Sequence, residues 1–343
     1  MPPKPSHSWS FRSRFRRNAF GWRSQPAIAR ISEAVSEIKK VARKDQTAAA
    51  EGAVVFLERL SPAIEAVDSS SGAIGNEVNS AICTLVPIIA AAPADDDLRS
   101  KWLDRLWDAV EADVIPYLEL VPDHWGELCA TAGHAARWAD GFLPALRMAW
   151  GPDPSLRGFF KGATACLSAL YKCGRHEEIL ALLDLEPYKL WHYRVWGVKA
   201  LAALGRKTDA IQYAEAGRGL NVSPIAVASA CEEILLSSGL ADQAYTRYAI
   251  EANRRVIYLA TFKAICGKYP HKTPREILLD LVASAPEDRG KWFAAAKSAG
   301  LYDDAIALAK SSPCDPKTLM RAARDCALLE PKFAVEAGMA ALH

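Results

Sequence analysis

Apolar residues recur along this chain at steps of three and four. Ile28, Ile31, Val35, Ile38 and Val41 trace one such stripe through Arg43, the period of a helix with a single buried face. The same spacing predicts a second helix over 47–60, after which Ser61-Pro62 reads as an N-cap with Pro in the first turn of the next. DSSSGAIG (68–75) reads as a loop, and a further apolar helix is expected over 76–92. Pro93-Ala94-Asp95-Asp96-Asp97 then breaks the chain and offers carboxylates to the positive end of a helix carrying Trp102, Leu106 and Val110. No two-residue turn joins alternating runs, so no sheet is predicted. The pattern is all-α.

From about Pro152 the helices become a repeat. Residues 191–219, WHYRVWGVKALAALGRKTDAIQYAEAGRG, read as one helical hairpin. Val195, Val198, Leu201 and Ala202 form the buried stripe of its first helix, and Leu204-Gly205 closes it. A second helix then packs through Ala210, Ile211 and Ala214. Similar stretches lie at 165–184, 230–249 and 293–312, with glycines at 174, 205, 239 and 300. Each glycine sits where a helix C-terminus calls for a left-handed residue. The intervals are 31, 34 and 61, so the last has room for two units, with Gly267 as a divergent fifth mark. Ser223-Pro224, Thr273-Pro274 and Asp315-Pro316 mark helix starts, and Thr273 to Glu276 spells a capping box.

With an LG turn, an Ala five residues on and a period near 34, these units resemble tetratricopeptide-type helical hairpins over roughly 155–343. LGRKTDAIQYAE is the fullest match. Ala210, Ala244 and Ala305 share one offset from their glycines, Ile179 departs at that offset, and the usual first-helix Trp and Tyr are missing from most units. SFRSRFRRNAFGWRS and HWGELCAT, in turn, resemble an uncharacterised bacterial family to which no activity attaches. One hairpin cannot bury its own apolar face, so neighbours must stack. The resemblance implies a right-handed α-solenoid whose concave surface holds a peptide or helix. Lys161, Tyr171, His192, Lys199 and Glu233 are the expected lining of that groove. The last residues, PKFAVEAGMAALH, stay amphipathic without a cap, which suggests that the natural chain continues past His343 or that the array ends by pairing with a second copy.

Charge adds one feature. The formal net charge is only +2, but seven Lys and Arg precede the first acidic residue, Glu33, and the remainder is net acidic. The chain therefore divides into a basic, partly disordered arm (1–25), an N-terminal helical region (26–151) and the repeats (152–343). In the arm, Phe11, Phe15 and Ala19 stand at helical spacing with arginines between, which predicts a short basic amphipathic helix. Trp9, Phe20 and Trp22 add aromatics. Three readings stay open: Arg12, Arg14, Arg16, Arg17 and Arg23 contact nucleic-acid phosphates, the helix lies on an anionic membrane, or the aromatics dock as a cap with the arginines solvated.

Eight cysteines without a CxxC pair, mostly at apolar helical positions, fit a reducing, cytoplasmic setting. No uninterrupted apolar run is long enough to cross a membrane, and the start lacks a secretory apolar core, although its Arg- and Ser-rich, acid-free composition matches an organellar transit peptide. His124, Cys129 and His134 stand five residues apart and do not share a helical face, so no metal is expected; the two histidines read as capping or surface residues. Cys166 and Cys173 read as one core stripe. Glu177-Glu178, Glu232-Glu233 and Asp303-Asp304 read as solvated or capping pairs of the repeat, and the aromatic run Trp191, His192, Tyr193 and Trp196 reads as inter-repeat packing or a binding patch. No phosphate loop, nucleophile elbow or HExxH occurs. A non-enzymatic, cofactor-free scaffold that binds a protein or peptide is the first expectation, and a nucleic-acid-associated protein that uses the arm is the alternative.

Overall fold

Every regular element among the described residues is helical: eighteen α-helices and three short 3-10 turns. A computed structural model describes residues 7–219 and 222–342. The chain divides into two units, 1–206 and 207–343.

The first unit begins with three long helices packed on one another, α1 (Ser24–Ala42), α2 (Gln46–Ile64) and α3 (Ala73–Ala91). Ile31 and Ile38 of α1 and Val54, Phe56, Leu57 and Leu60 of α2 are fully buried, as the helical stripe requires. Asp45 caps α2 by accepting from the Ala48 N–H. The break expected at Ser61-Pro62 does not occur, and α2 runs through Pro62 to Ile64. Pro62 withholds the N–H that would reach the Glu58 carbonyl, so α2 gives up one backbone hydrogen bond there and continues for two more residues. Ser61 donates its hydroxyl to buried Asp113 instead of capping a new helix, while the Pro62 carbonyl accepts from the Asn18 N–H. By length and composition α3 is the one described helix apolar enough to cross a membrane. Its Ile74, Val78, Ile82, Leu85, Val86 and Ile89 are buried, and it packs on α1 and α2.

Next come α4 (Asp96–Ala112), α5 (Trp125–Leu128), α6 (Ala132–Ala149), α7 (Ala163–Lys172), α8 (His176–Leu185) and α9 (Trp191–Ala203). Arg99 of α4 is buried without a carboxylate partner. Its guanidinium donates to the carbonyls of Ile89 (2.7 Å) and Ala92 (2.8 Å), where α3 ends and its carbonyls carry the helix's partial negative charge. Trp107, Trp125, Trp138 and Phe142 form an aromatic cluster, with Trp125 fully buried.

The arm packs as part of this unit. A 3-10 turn at Ser10–Ser13 and a left-handed Asn18 replace the expected amphipathic helix. Phe11 and Phe15 both close on Phe56 of α2, at ring-centroid distances of 5.5 and 5.1 Å, and Trp9 lies against Gly52. A helix would place only one apolar stripe on α2. The irregular path brings three aromatic side chains onto it, each contributing about 1.5–3 kcal/mol of burial. Residues 7–25 are thus ordered; the proline-bearing start of the arm, 1–6, on which the expectation of disorder rested, lies outside the described residues.

The second unit holds α10 (Lys207–Glu215), α11 (Pro224–Leu236), α12 (Ala241–Ala252), α13 (Tyr258–Lys268), α14 (Pro274–Ser284), α15 (Phe293–Ser298), α16 (Tyr302–Ser311), α17 (Pro316–Cys326) and α18 (Pro331–Ala340). Neighbours α11 and α12, α15 and α16, and α17 and α18 pack as pairs. The glycines expected to close first helices take φ of +79° (Gly174), +78° (Gly205), +73° (Gly239) and +72° (Gly300). After each, the next residue's N–H returns five residues to Leu170, Leu201, Leu235 or Ala296, at 2.9–3.0 Å. All four are Schellman closures. Ile179, Ala210, Ala244 and Ala305, five residues on, are fully buried. Gly267 is no fifth mark: it is helical, inside α13. Thr273 forms the expected capping box with Glu276, and Asp315 caps α17.

Candidate functional site

The expected groove residues fall into three settings. Lys161 lies in the turn before α7 and donates its ammonium to the carbonyls of Glu111 (3.2 Å) and Asp113 (3.0 Å), at the C-terminal end of α4. Glu233 is exposed on α11, in the second unit. Tyr171, His192 and Lys199 belong to α7 and α9, which pack on each other in the first unit. Tyr171 is half-buried, with its ring 5.9 Å from Trp196, and the Lys199 ammonium lies 4.1 Å from the centre of the same indole. That cation–π contact fixes an otherwise flexible charge on a rigid aromatic base. His192 is exposed beside Tyr193, and desolvation holds its imidazole below the usual range despite the opposing fields of Glu186 and Glu119.

The structure adds a group that sequence reasoning passed over. Asp123, in the 3-10 turn Pro122–His124, is half-buried, and no donor among the described residues hydrogen-bonds its carboxylate. Burial pushes its pKa up to about 6, while the fields of His124 and Lys199 oppose the shift and Glu119 reinforces it. The turn is fixed from below. The Ser168 hydroxyl of α7 donates to the Asp123 carbonyl (2.9 Å) and accepts from the Gly126 N–H (3.0 Å). Gly126 permits this approach, since a Cβ there would stand 2.3 Å from the Ser168 carbonyl oxygen. The sequence signal was present but weak: an Asp-His pair and a glycine in PDHWG, readable only once α7 is known to pack there.

Asp123 feels the fields of Glu119, His124 and Lys199, and His192 feels that of Glu119. A half-buried carboxylate and an indole-fixed ammonium therefore lie within each other's field, a charge pattern able to meet a basic and an acidic group of a partner. The aromatic run is divided: Tyr193 and Trp196 are buried, Tyr193 against Trp150 and Trp196 against Tyr171.

Other expectations are corrected in detail. His134 is buried rather than superficial, held between Asp96 (3.2 Å) and Arg137, and desolvation lowers its pKa. Cys129 is buried and pushed up to about 12 by the same cause, and His124 pairs with Glu127 at 3.2 Å. Glu232, expected to be solvated or capping, has no exposed surface. It accepts from Asn253 and Tyr269 (both 2.7 Å) and from Lys268 (2.5 Å). Glu177 and Asp303 are exposed, whereas Glu178 and Asp304 are half-buried and pair with Arg147 and Arg275.

The arm arginines Arg12, Arg14, Arg16, Arg17 and Arg23 are all exposed. Arg14 pairs with Glu33 at 3.0 Å and Arg17 with Glu65 at 3.7 Å; Arg12, Arg16 and Arg23 have no carboxylate partner among the described residues. Trp9, Phe11 and Phe15 are buried, which leaves Trp22, 72% exposed, as the arm's accessible large aromatic.

No family model, no curated protein and no solved structure matches this chain.

Proposed function

We propose that this chain is a non-enzymatic helical-repeat scaffold, a right-handed α-solenoid of tetratricopeptide-like hairpins, that holds a protein or peptide partner against first-helix residues. Four helix ends closed by the same glycine geometry support the repeat reading. The observation that carries the binding reading is Asp123, a half-buried carboxylate with no hydrogen-bond donor among the described residues, in the fields of Glu119 and of the indole-fixed ammonium of Lys199. Leaving such a carboxylate without a donor costs stability, and a partner's basic side chain supplies what it lacks. Lys199 takes a carbonyl or carboxylate of the same partner, and His192 and Tyr171 flank it. Glu233 serves the exposed first-helix face of the second unit.

Affinity purification from native cells, with and without nuclease, tests this reading. A defined protein partner is expected to persist after nuclease and to be lost from Asp123→Asn and Lys199→Ala, which leave the fold intact. Because Asp123 must be ionised to receive a cation, binding weakens as pH falls through about 6. Stability runs the other way. A carboxyl whose folded pKa is raised binds its proton more tightly folded than unfolded, so wild-type stability falls relative to Asp123→Asn as pH rises from about 4 to about 6. Retention of the partner by both variants would remove this face from the account.

A second reading, nucleic-acid association through the arm, is favoured by one observation: Arg12, Arg16 and Arg23 have no carboxylate partner among the described residues, and Trp22 of the same arm is exposed. Deleting 1–25 would uncover Phe56 and Gly52, so the discriminating variant is Arg12→Ala/Arg16→Ala/Arg23→Ala. Phosphate binding predicts an affinity that falls steeply with salt and a smaller salt dependence in the triple variant.

A further inference from the structure

The second unit contains a cavity of about 300 Å³ beside the start of α13, bounded by the chain that links α12 to α13, by α14 and by the 3-10 segment Pro286–Trp292. Two adjacent guanidiniums, Arg254 and Arg255, line it. Both are exposed, and neither has a carboxylate within ion-pair distance among the described residues. In this unit Arg218 is neutralised by Glu215 and Glu251 and Arg275 by Asp304, whereas exposed Arg247, Arg289 and Arg321, like Arg254 and Arg255, have no carboxylate partner among the described residues. The acid nearest to hand, Asp288, is already occupied. Its two oxygens meet the Tyr258 hydroxyl (2.6 Å) and the Lys291 ammonium (2.8 Å). The arginine pair therefore leaves the cavity with a net positive charge.

The opposite character lies deeper. Ile250, Leu281 and the Trp292 indole form an apolar wall, with the Tyr258 ring set edge-on to the indole at 4.7 Å. The Trp292 ring is buried, yet its N–H has no hydrogen-bond acceptor. The Arg255 N–H donates to the Thr261 hydroxyl of α13 at 2.8 Å, which holds this stretch of backbone at the cavity rim. We infer that this cavity binds a small oxyanion, a carboxylate or phosphate carried on a flat apolar body, with the oxyanion on Arg254 and Arg255 and the body against Tyr258, Trp292 and Leu281. Guanidinium pairs are suited to such groups because their N–H donors match two oxygens at once. The volume lies at the low end of ligand sites, enough for a ring and its anion. The site is independent of Asp123, Lys199 and the partner proposed for them.

The test is a titration of the ¹⁵N-labelled full chain with benzoate, phenyl phosphate and neutral benzyl alcohol, following indole N–H resonances, with Trp292→Phe identifying the relevant one. The inference predicts a saturable shift of the Trp292 resonance with at least one anion and none with the alcohol. The preferred anion separates carboxylate from phosphate. Arg254→Ala/Arg255→Ala, at exposed positions, is expected to weaken binding by roughly tenfold or more, and Arg254→Lys/Arg255→Lys to recover part of it. No saturable shift, an equal response to benzyl alcohol, or unchanged affinity in the double alanine variant overturns the inference.

Discussion

Two helix ends in the second unit solve one problem in opposite ways. α11 stops at a glycine: Gly239 takes φ of +73°, and the Leu240 N–H returns to the Leu235 carbonyl. α13 stops without one. Lys268 and Tyr269 at its end instead reach Glu232 on α11, and Asn253 at the end of α12 completes the coordination of the same carboxylate. The first closure is local and uses backbone alone. The second ties two helix ends to one buried carboxylate of a third helix, and burial together with Glu232 pushes the Tyr269 phenol well up. A local closure leaves its signature in a few consecutive residues, whereas a network joins positions 21 to 37 residues apart and leaves none.

The comparison can be broken at either end. The largest effect is expected at Glu232→Ala, which leaves the Tyr269 hydroxyl and one Asn253 donor buried without an acceptor. About 3 kcal/mol of destabilisation should be read by urea denaturation, and a loss under 1 kcal/mol would mean that the network is not what closes α13. Next comes Gly52→Ala, where an added Cβ would stand 2.1 Å from the Trp9 indole. Displacing or straining the docked arm should cost about 1–3 kcal/mol, and faster proteolysis before Arg23 would report it. Gly239→Ala should cost about 1 kcal/mol, because a side chain is strained in the left-handed region. The smallest effect carries the opposite sign. Gly267 is a helical glycine with open space around it, so Gly267→Ala should stabilise by about 0.5–1 kcal/mol. If Gly239→Ala and Gly267→Ala shift the denaturation midpoint in the same direction, the contrast drawn between the two helix ends fails.

The same distinction explains what was legible in the sequence. The all-α class, the four closing glycines, the Thr273 box and the Asp315 cap were read from short motifs because short motifs cause them. Gly267 misled because glycine marks a helix end only where φ is positive, and φ is not written in composition. Ser61-Pro62 misled because the Ser61 hydroxyl is taken by Asp113, 52 residues on, a contact that no local motif announces. Gly52 was the overlooked sign that the arm docks: a glycine inside a long helix needs a reason, and here the reason is an indole from forty residues earlier. At the proposed site, Lys199 and His192 were named from helical phase, whereas Asp123 depends on α7 seating the turn through Ser168 and Gly126.

The central claim is that the face bearing Asp123 and Lys199 receives a protein. Its most direct test places a photo-crosslinking amino acid at His192, exposed beside that face, and at Leu328, exposed on the second unit, in the full chain expressed in its native cells. The account predicts a discrete protein adduct from position 192, persisting after nuclease, absent from position 328 and lost on Asp123→Asn. Adducts of equal yield from both positions, or an adduct at 192 that Asp123→Asn leaves unchanged, would contradict it.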